Sequence, residues 1–114
     1  MAIYLADKAD PPEKLEALAI TAKTIKVRWK APNDTGRSKI IAYNLKAISI
    51  NGTKEMEKTG TVATPPAVLL EYTFSGLQTN TYHQISVAAV NEVGQGQPKQ
   101  ATYKTALKDK GKVA

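Results

Sequence analysis

The chain has 114 residues, 42% of them hydrophobic and 23% charged, and it contains no cysteine. That length suits one domain with its own hydrophobic core, and the composition is ordinary for a globular protein. The absence of thiols excludes a disulfide framework and a thiolate metal site. No run approaches the roughly 18 apolar residues that span a bilayer. The first ten residues lack the pattern of a signal peptide.

The formal net charge is +6, divided as −1 over residues 1–10, +2 over residues 107–114 and +5 over the body between them. Such a surplus permits weak attraction to nucleic acid, heparin-like polymers or anionic membrane. A lysine-rich surface that is simply solvated would give the same net charge. Because the charge is spread along the sequence, we favour this second interpretation.

The predicted elements begin with a linker or an ordered lead-in over residues 1–10, and a proline pair at 11–12 marks the start of the domain. Beyond it the hydrophobic period is two rather than 3.6. Residues 25–30 alternate apolar and basic side chains, with Trp29 on the apolar side. This pattern predicts a half-buried strand whose basic side chains face water.

A second strand is predicted from Ile40 to Ile50, with Tyr43 on its apolar face. Ile48 and the final isoleucine fall on the polar face, so either a bulge changes the phase or two isoleucines lie near the surface. Asn51-Gly52 is typical of a type I′ hairpin turn. Residues 54–58 are expected to form a short charged strand at a sheet edge.

The later elements begin with a proline-interrupted loop at residues 65–66 and alternating strands at residues 70–74 and 85–89. A turn-rich loop at 91–98, a final strand at 100–105 and a basic flexible tail at 107–114 follow. No helix of useful length is predicted. About seven short strands with turns every 8–12 residues or so indicate an all-β fold, a seven-stranded antiparallel β-sandwich over residues 11–106.

A set of motifs in matching order and spacing makes residues 11–106 resemble the fibronectin type III family. The opening prolines are followed by Leu15 and, 14 positions later, by Trp29 and then Ala31-Pro32. The later strands and loops carry the rest of the pattern: Ile40, Tyr43, Tyr72, Phe74, Gly76, Leu77, Thr81, Val87, Ala89, Asn91, Gly94, Gly96 and Pro98. The resemblance implies an immunoglobulin-like sandwich with Trp29, Tyr43 and Leu77 in its core.

One position departs from the family pattern. Where the family has a tyrosine whose hydroxyl bonds backbone at a corner, this chain has His83, with Tyr82 one residue earlier. Either the histidine fills the corner through a ring nitrogen, or a local bulge lets the tyrosine fill it. We favour Tyr82 with a bulge, and we expect both residues to belong to the structural core.

Candidate catalytic and metal sites are weak. His83 is the only histidine, which excludes a multi-histidine metal site, and no serine lies in a nucleophile elbow. The glycines at 94 and 96 lack the strand-to-helix context of a phosphate-binding loop. We therefore expect no catalytic residues, no metal and no cofactor.

The basic stripe of Lys26, Arg28 and Lys30 is a candidate polyanion site on one outer face. The neighbouring strand is expected to present Glu71 there. Cross-strand pairing with this carboxylate is the favoured use of the stripe.

Two loops and two Asn-x-Thr triplets are the candidate contact and modification sites. The partner loops lie at 33–39 and 91–97, and the residues expected to contact a partner are Asp34, Arg37, Asn91, Glu92 and Gln95. The triplets place candidate N-glycosylation sites at Asn33 and Asn51, both in predicted turns.

The resemblance implies a non-catalytic protein-interaction or spacer module from the extracellular portion of a cell-surface or secreted protein. Its partners would be neighbouring repeats or a cell-surface protein; the segment itself would be monomeric and would not contact membrane. Two alternatives stay open: a cytoplasmic repeat of a muscle-filament protein, and an accessory module of a secreted enzyme.

Overall fold

The computed structural model describes residues 5–50, 57–64 and 70–108. Within these ranges it contains eight strands, which in chain order are β1 (Glu13–Ile20), β2 (Ile25–Lys30), β3 (Ala42–Ile50), β4 (Glu57–Ala63), β5 (Glu71–Phe74), β6 (Tyr82–Asn91), β7 (Gly94–Gln95) and β8 (Lys99–Lys104). No helix capable of crossing a membrane is found among these described residues.

The strands form two antiparallel sheets. One has the order β1-β2-β5, and the other has the order β4-β3-β6-β7 with β8 also paired to β6. The predicted all-β antiparallel sandwich is confirmed. The strand beyond the expected seven is β7, a two-residue pairing inside the turn-rich loop after β6.

Alternation along β2 shows how the core forms. Ile25 and Val27 are fully buried and Trp29 is 4% exposed, whereas the basic residues between them face outward. From the opposite sheet, Tyr43 meets the Trp29 ring edge-on at a centroid distance of 5.4 Å. Burying each of these large side chains contributes about 1.5–3 kcal/mol, so strands with period two close against each other rather than against water.

The β3 strand resolves the question about its two isoleucines. It pairs with β6 without interruption from Ala42 opposite Val90 to Ile50 opposite Tyr82, so no bulge changes its phase. Ser49 is therefore buried, whereas Ile50 is 52% exposed. The isoleucines lie near the surface because the alternation continues to the strand end.

The described edge strand β4 continues beyond the predicted end at residue 58 and runs through residues 59–63. Residues 54–56 of the predicted strand lie outside the described residues. Its Gly60 lies under the Tyr72 ring of the other sheet: an atom built at the glycine Cβ position would fall 2.2 Å from the ring Cζ. The two sheets meet closely at this side of the sandwich. The predicted turn at Asn51-Gly52 and the prolines at 65–66 lie outside the described residues.

Candidate functional site

The end of the sandwich that carries the two expected partner loops also holds the N-terminal lead-in. The Asp7 backbone N–H donates to the Gly36 carbonyl at 2.8 Å, and the Asp10 N–H donates to the Asp34 carbonyl at 2.9 Å. Between them, Ala9 is only 4% exposed. Described residues of the lead-in are thus hydrogen-bonded to the loop between β2 and β3.

Asn91, at the end of β6, joins the lead-in to both loops. Its Nδ2 donates to the Asp7 carbonyl at 2.7 Å and to the Thr35 carbonyl at 2.9 Å. Its Oδ1 accepts the Val93 N–H at 2.9 Å and the Gly94 N–H at 3.3 Å. The side chain is buried, and its amide satisfies four backbone groups that would otherwise lack partners in a place with little water.

Two glycines let the lead-in approach this closely. A Cβ at Gly36 would lie 2.0 Å from the Asp7 carbonyl oxygen, and its backbone has φ +78°. A Cβ at Gly96 would lie 2.1 Å from the Ala9 carbonyl oxygen. A larger residue at either position would displace the lead-in, so backbone contact explains why these two positions are glycine.

The residues expected to contact a partner differ in their exposure to solvent. Asp34, Arg37, Glu92 and Gln95 are exposed at this end of the molecule. The last of these is held by the Asn44 amide, whose Nδ2 donates to its Oε1 at 2.8 Å. Asn91 is 2% exposed. Its expected place in a partner-contacting surface is wrong, because its polar groups are used to hold the lead-in and its own turn.

At the corner position the structure has His83 and not Tyr82, contrary to our prediction. His83 is 1% exposed and its Nε2 lies 3.3 Å from the Gln78 carbonyl, so the histidine occupies the corner. Tyr82 is 53% exposed, and the Lys104 ammonium lies 5.2 Å from its ring centroid. The expectation that Tyr82 belongs to the core is wrong because β6 keeps its register with β3, and no bulge turns the tyrosine inward.

The His83 site favours a neutral imidazole. Its Nε2 donates to the carbonyl, and Nδ1 has no hydrogen-bond partner within the described part of the chain. His83 lines a small cleft together with Ser49 and the cationic Lys58. Burial lowers the pKa of His83 from its ordinary value, and the carbonyl contact opposes that shift without cancelling it.

A second side chain braces the same corner from the last strand. Thr105 is buried, and its hydroxyl donates to the Gln78 carbonyl at 2.6 Å while accepting the Thr81 N–H at 3.1 Å. The corner therefore ties the turn after β5 to the point where the chain leaves β8. The other expected core residues, Trp29, Tyr43 and Leu77, are buried at 4%, 2% and 6% exposure.

One signal in the sequence predicts that both His83 and Asn91 are buried. The alternation that buries Ile85, Val87 and Ala89 extends two residues in each direction and includes both polar side chains. The polar, turn-rich composition of residues 91–98 predicts instead that the asparagine lies in a surface loop. Its position in the strand period indicated a buried group that needs partners.

The basic stripe on the outer face of β2 is largely neutralised. Lys26 lies 3.4 Å from Glu71, as the sequence suggested, and Arg28 forms a 3.2 Å ion pair with Glu16 of β1. Both pairs are exposed, so they add little to stability. Their effect is to remove most of the positive field that a polyanion would need here.

The remaining candidate positions are quickly placed. Asn33 is exposed in the loop between β2 and β3, and Asn51 lies outside the described residues. In the part of the chain that the structure describes, no three His, Cys, Asp or Glu side chains group as metal ligands would.

The fold and this loop end define a module of the antiparallel β-sandwich class. Residues 10–105 match the fibronectin type III domain family, and the chain belongs to that family. Titin of Drosophila melanogaster is 32% identical over 88 residues, which cover 77% of this chain. The proto-oncogene tyrosine-protein kinase ROS of Mus musculus is 35% identical over 82 residues, covering 72%.

The relatives are far longer than this chain, which spans 3% of the ROS kinase and a smaller share of titin. The solved structure of the FN5 domain of Drosophila Lar is 26% identical with a TM-score of 0.68, and the match covers 86% of this chain and 97% of that one. The chain is therefore similar to one module of much larger proteins.

Proposed function

We propose that this chain is a non-catalytic spacer and protein-interaction module of a multidomain protein, and that its bound lead-in fixes the direction of the segment before it. The observation that carries the proposal is the Asn91 side chain, which bonds the lead-in and both loops at once. A flexible linker would leave these groups to water. Here a buried amide holds them in one arrangement.

The mechanism is geometric. Fibronectin type III modules occur in the larger proteins to which this chain is similar, and a module with a fixed entry transmits its orientation to its neighbour. Interfaces between domains of one chain are usually small and permit motion, so stiffness has to come from the joint itself. The lead-in bonds supply it on the side where the chain enters β1.

Contact with a protein partner would use surfaces that the joint leaves open. Asp34, Arg37 and Glu92 are exposed beside the lead-in. At the other end of the second sheet, Ile50 and Tyr82 are cross-strand neighbours and both are about half exposed. Tyrosine is enriched at the centres of protein interfaces, and the isoleucine beside it adds apolar surface.

For the setting, we propose the extracellular part of a cell-surface or secreted protein. The exposed Asn33, within an Asn-x-Thr triplet, supports this choice because an acceptor asparagine must be accessible. The alternative is a cytoplasmic filament repeat, which the similarity to titin supports. Mass mapping of Asn33 and Asn51 in natural material, with and without glycosidase, separates the two. A glycan on either supports the first setting, and unmodified cytosolic protein supports the second.

The joint is tested on a segment of the parent protein that contains this module and the one before it. We expect 15N relaxation to give one rotational correlation time for both modules. An Asn91→Ala variant should let them tumble separately while the fold is retained, as checked by the β-sheet amide shifts. Independent tumbling of the unmodified modules would contradict the proposed role of the lead-in.

A further inference from the structure

The fold gathers lysines that are distant in sequence around the turn between β5 and β6. We define the cationic pole as Lys23, Lys58, Lys104 and Lys108. The Lys23 carbonyl accepts the Leu77 N–H at 3.0 Å, which places its turn against this one. The Lys58 ammonium would lie 3.4 Å from a Cβ built at Gly76 of the same turn.

The other two lysines reach the turn from the last strand. The Asn80 N–H donates to the Ala106 carbonyl at 3.0 Å, so the exit of the chain, with Lys108, runs along the turn. Lys104 lies over the ring of Tyr82, the first residue of β6. Three segments of the sequence thus contribute four ammonium groups to the same end of the molecule.

Most of the net charge of the described residues resides in this pole. Apart from its four lysines, those residues carry nine basic and eight acidic side chains, which nearly cancel. The three ion pairs of the described part use Lys26, Arg28 and Lys46, and none uses the pole. The third pair also occupies Glu57, the carboxylate at the start of β4. A surplus that is spread along the sequence is therefore concentrated by the fold.

The turn between these lysines adds neutral hydrogen-bond donors. Ser75, Thr79 and Asn80 are exposed on it, and no described residue from 72 to 91 is acidic. Ammonium groups beside hydroxyl and amide donors suit an anion that carries several oxygens. Spacing them over one end of the molecule suits a chain of anions better than a single small ion.

We propose that the cationic pole is a binding site for a sulfated polysaccharide chain. Single-stranded nucleic acid, the competing polyanion, is held largely by stacking of its bases on aromatic rings and by arginine. The pole has no arginine, and the Lys104 ammonium already lies over one face of the Tyr82 ring. The stripe on β2, where the sequence suggested such a site, is paired instead with Glu71 and Glu16. This proposal does not depend on the joint at the opposite end.

The test compares two triple variants of the 114-residue chain that have the same net charge. Lys23→Gln, Lys104→Gln and Lys108→Gln neutralise the pole, and Lys30→Gln, Lys39→Gln and Lys99→Gln neutralise exposed lysines elsewhere. The probe is heparin, titrated calorimetrically at several salt concentrations, with uncharged dextran and a single-stranded oligonucleotide as controls. All six positions are exposed, so neither variant should unfold, which circular dichroism checks.

We expect the pole variant to bind heparin at least tenfold more weakly than the unmodified chain, and its salt dependence to fall by roughly two counterions. The matched variant should lose no more than about threefold, the effect of net charge alone. Equal losses in the two variants, or no binding by the unmodified chain, would overturn the site. Tighter binding of the oligonucleotide than of heparin would overturn its assignment to a sulfated polysaccharide.

Discussion

His83 shows how one substitution within a family pattern changes the chemistry of a corner. A tyrosine hydroxyl at this position would stay neutral over the whole range in which proteins work, since its pKa is near 10. An imidazole does not stay neutral over that range, since its ordinary pKa is near 6.5. His83 lines a small cleft together with Lys58 of β4, and Tyr103 of β8 is its cross-strand neighbour. In the described part of the chain no carboxylate lines that cleft.

We expect this site to make the module less stable in mild acid. Burial lowers the pKa of His83 in the folded state, so below the ordinary value near 6.5 the unfolded chain binds more protons than the folded one. The stability contributed by the neutral ring is therefore complete above that pH and is lost as pH falls through the window below it. Urea unfolding at pH 7.5 and 5.5 should show this loss, and a His83→Gln variant should show less of it.

The same prediction can be checked without a variant. Because His83 is the only histidine, its imidazole resonances give the folded-state pKa directly. A value below 6.5 would show that burial lowers the pKa of the ring. A value above 6.5, or equal loss of stability in the variant and the unmodified chain, would contradict it.

At this scale the sequence predicted the core better than the polar sites. Trp29 and Tyr43 could be placed from the alternation of apolar residues alone. Asn91 could not be placed from its residue type, because an asparagine in a turn-rich segment usually faces water. One of its hydrogen-bond partners, the Asp7 carbonyl, is 84 residues away in sequence.

Among the elements, the strands with strict alternation were predictable and the edge strand was less so. Residues 59–63 contain four small or hydroxyl-bearing residues and only one large apolar one, Val62, so they show little period of their own. They form a strand because β3 offers a pairing edge from Ala42 to Ile48. Glycine at position 60 then fits beneath the Tyr72 ring without moving it.

A Gly60→Ala substitution should therefore destabilise the module by about 1–3 kcal/mol, the usual cost of overpacking. The methyl group would fall inside the contact distance of the Tyr72 ring. Denaturant unfolding of the variant measures the loss. In a Tyr72→Leu background the same substitution should cost less than half as much, since the clashing ring is gone.

Thr59→Ala is the matched control on the same strand, where the side chain is exposed and the cost should stay within about 0.5 kcal/mol. If Gly60→Ala proved as mild as this control, the close contact between the sheets at β4 would be wrong.

For the whole molecule, the fold gives the two ends different characters. One end holds the lead-in through Asn91 and the glycines of two loops. The other collects the lysines of the cationic pole around the turn after β5. Neither arrangement could be predicted from the sequence, because each joins segments that only the strand order brings together. The sequence did indicate the sandwich and the family, which depend on local alternation and turn residues.

We infer that the lead-in is part of the folded module, and NMR relaxation of its backbone is the measurement that tests this inference. We expect order parameters of about 0.8 or higher for the Asp7, Lys8, Ala9 and Asp10 amides, similar to those of the strands. In an Asn91→Ala variant these values should fall while the strands keep theirs. Order parameters below about 0.6 in the unmodified chain would show a flexible tail, and the proposed joint would be wrong.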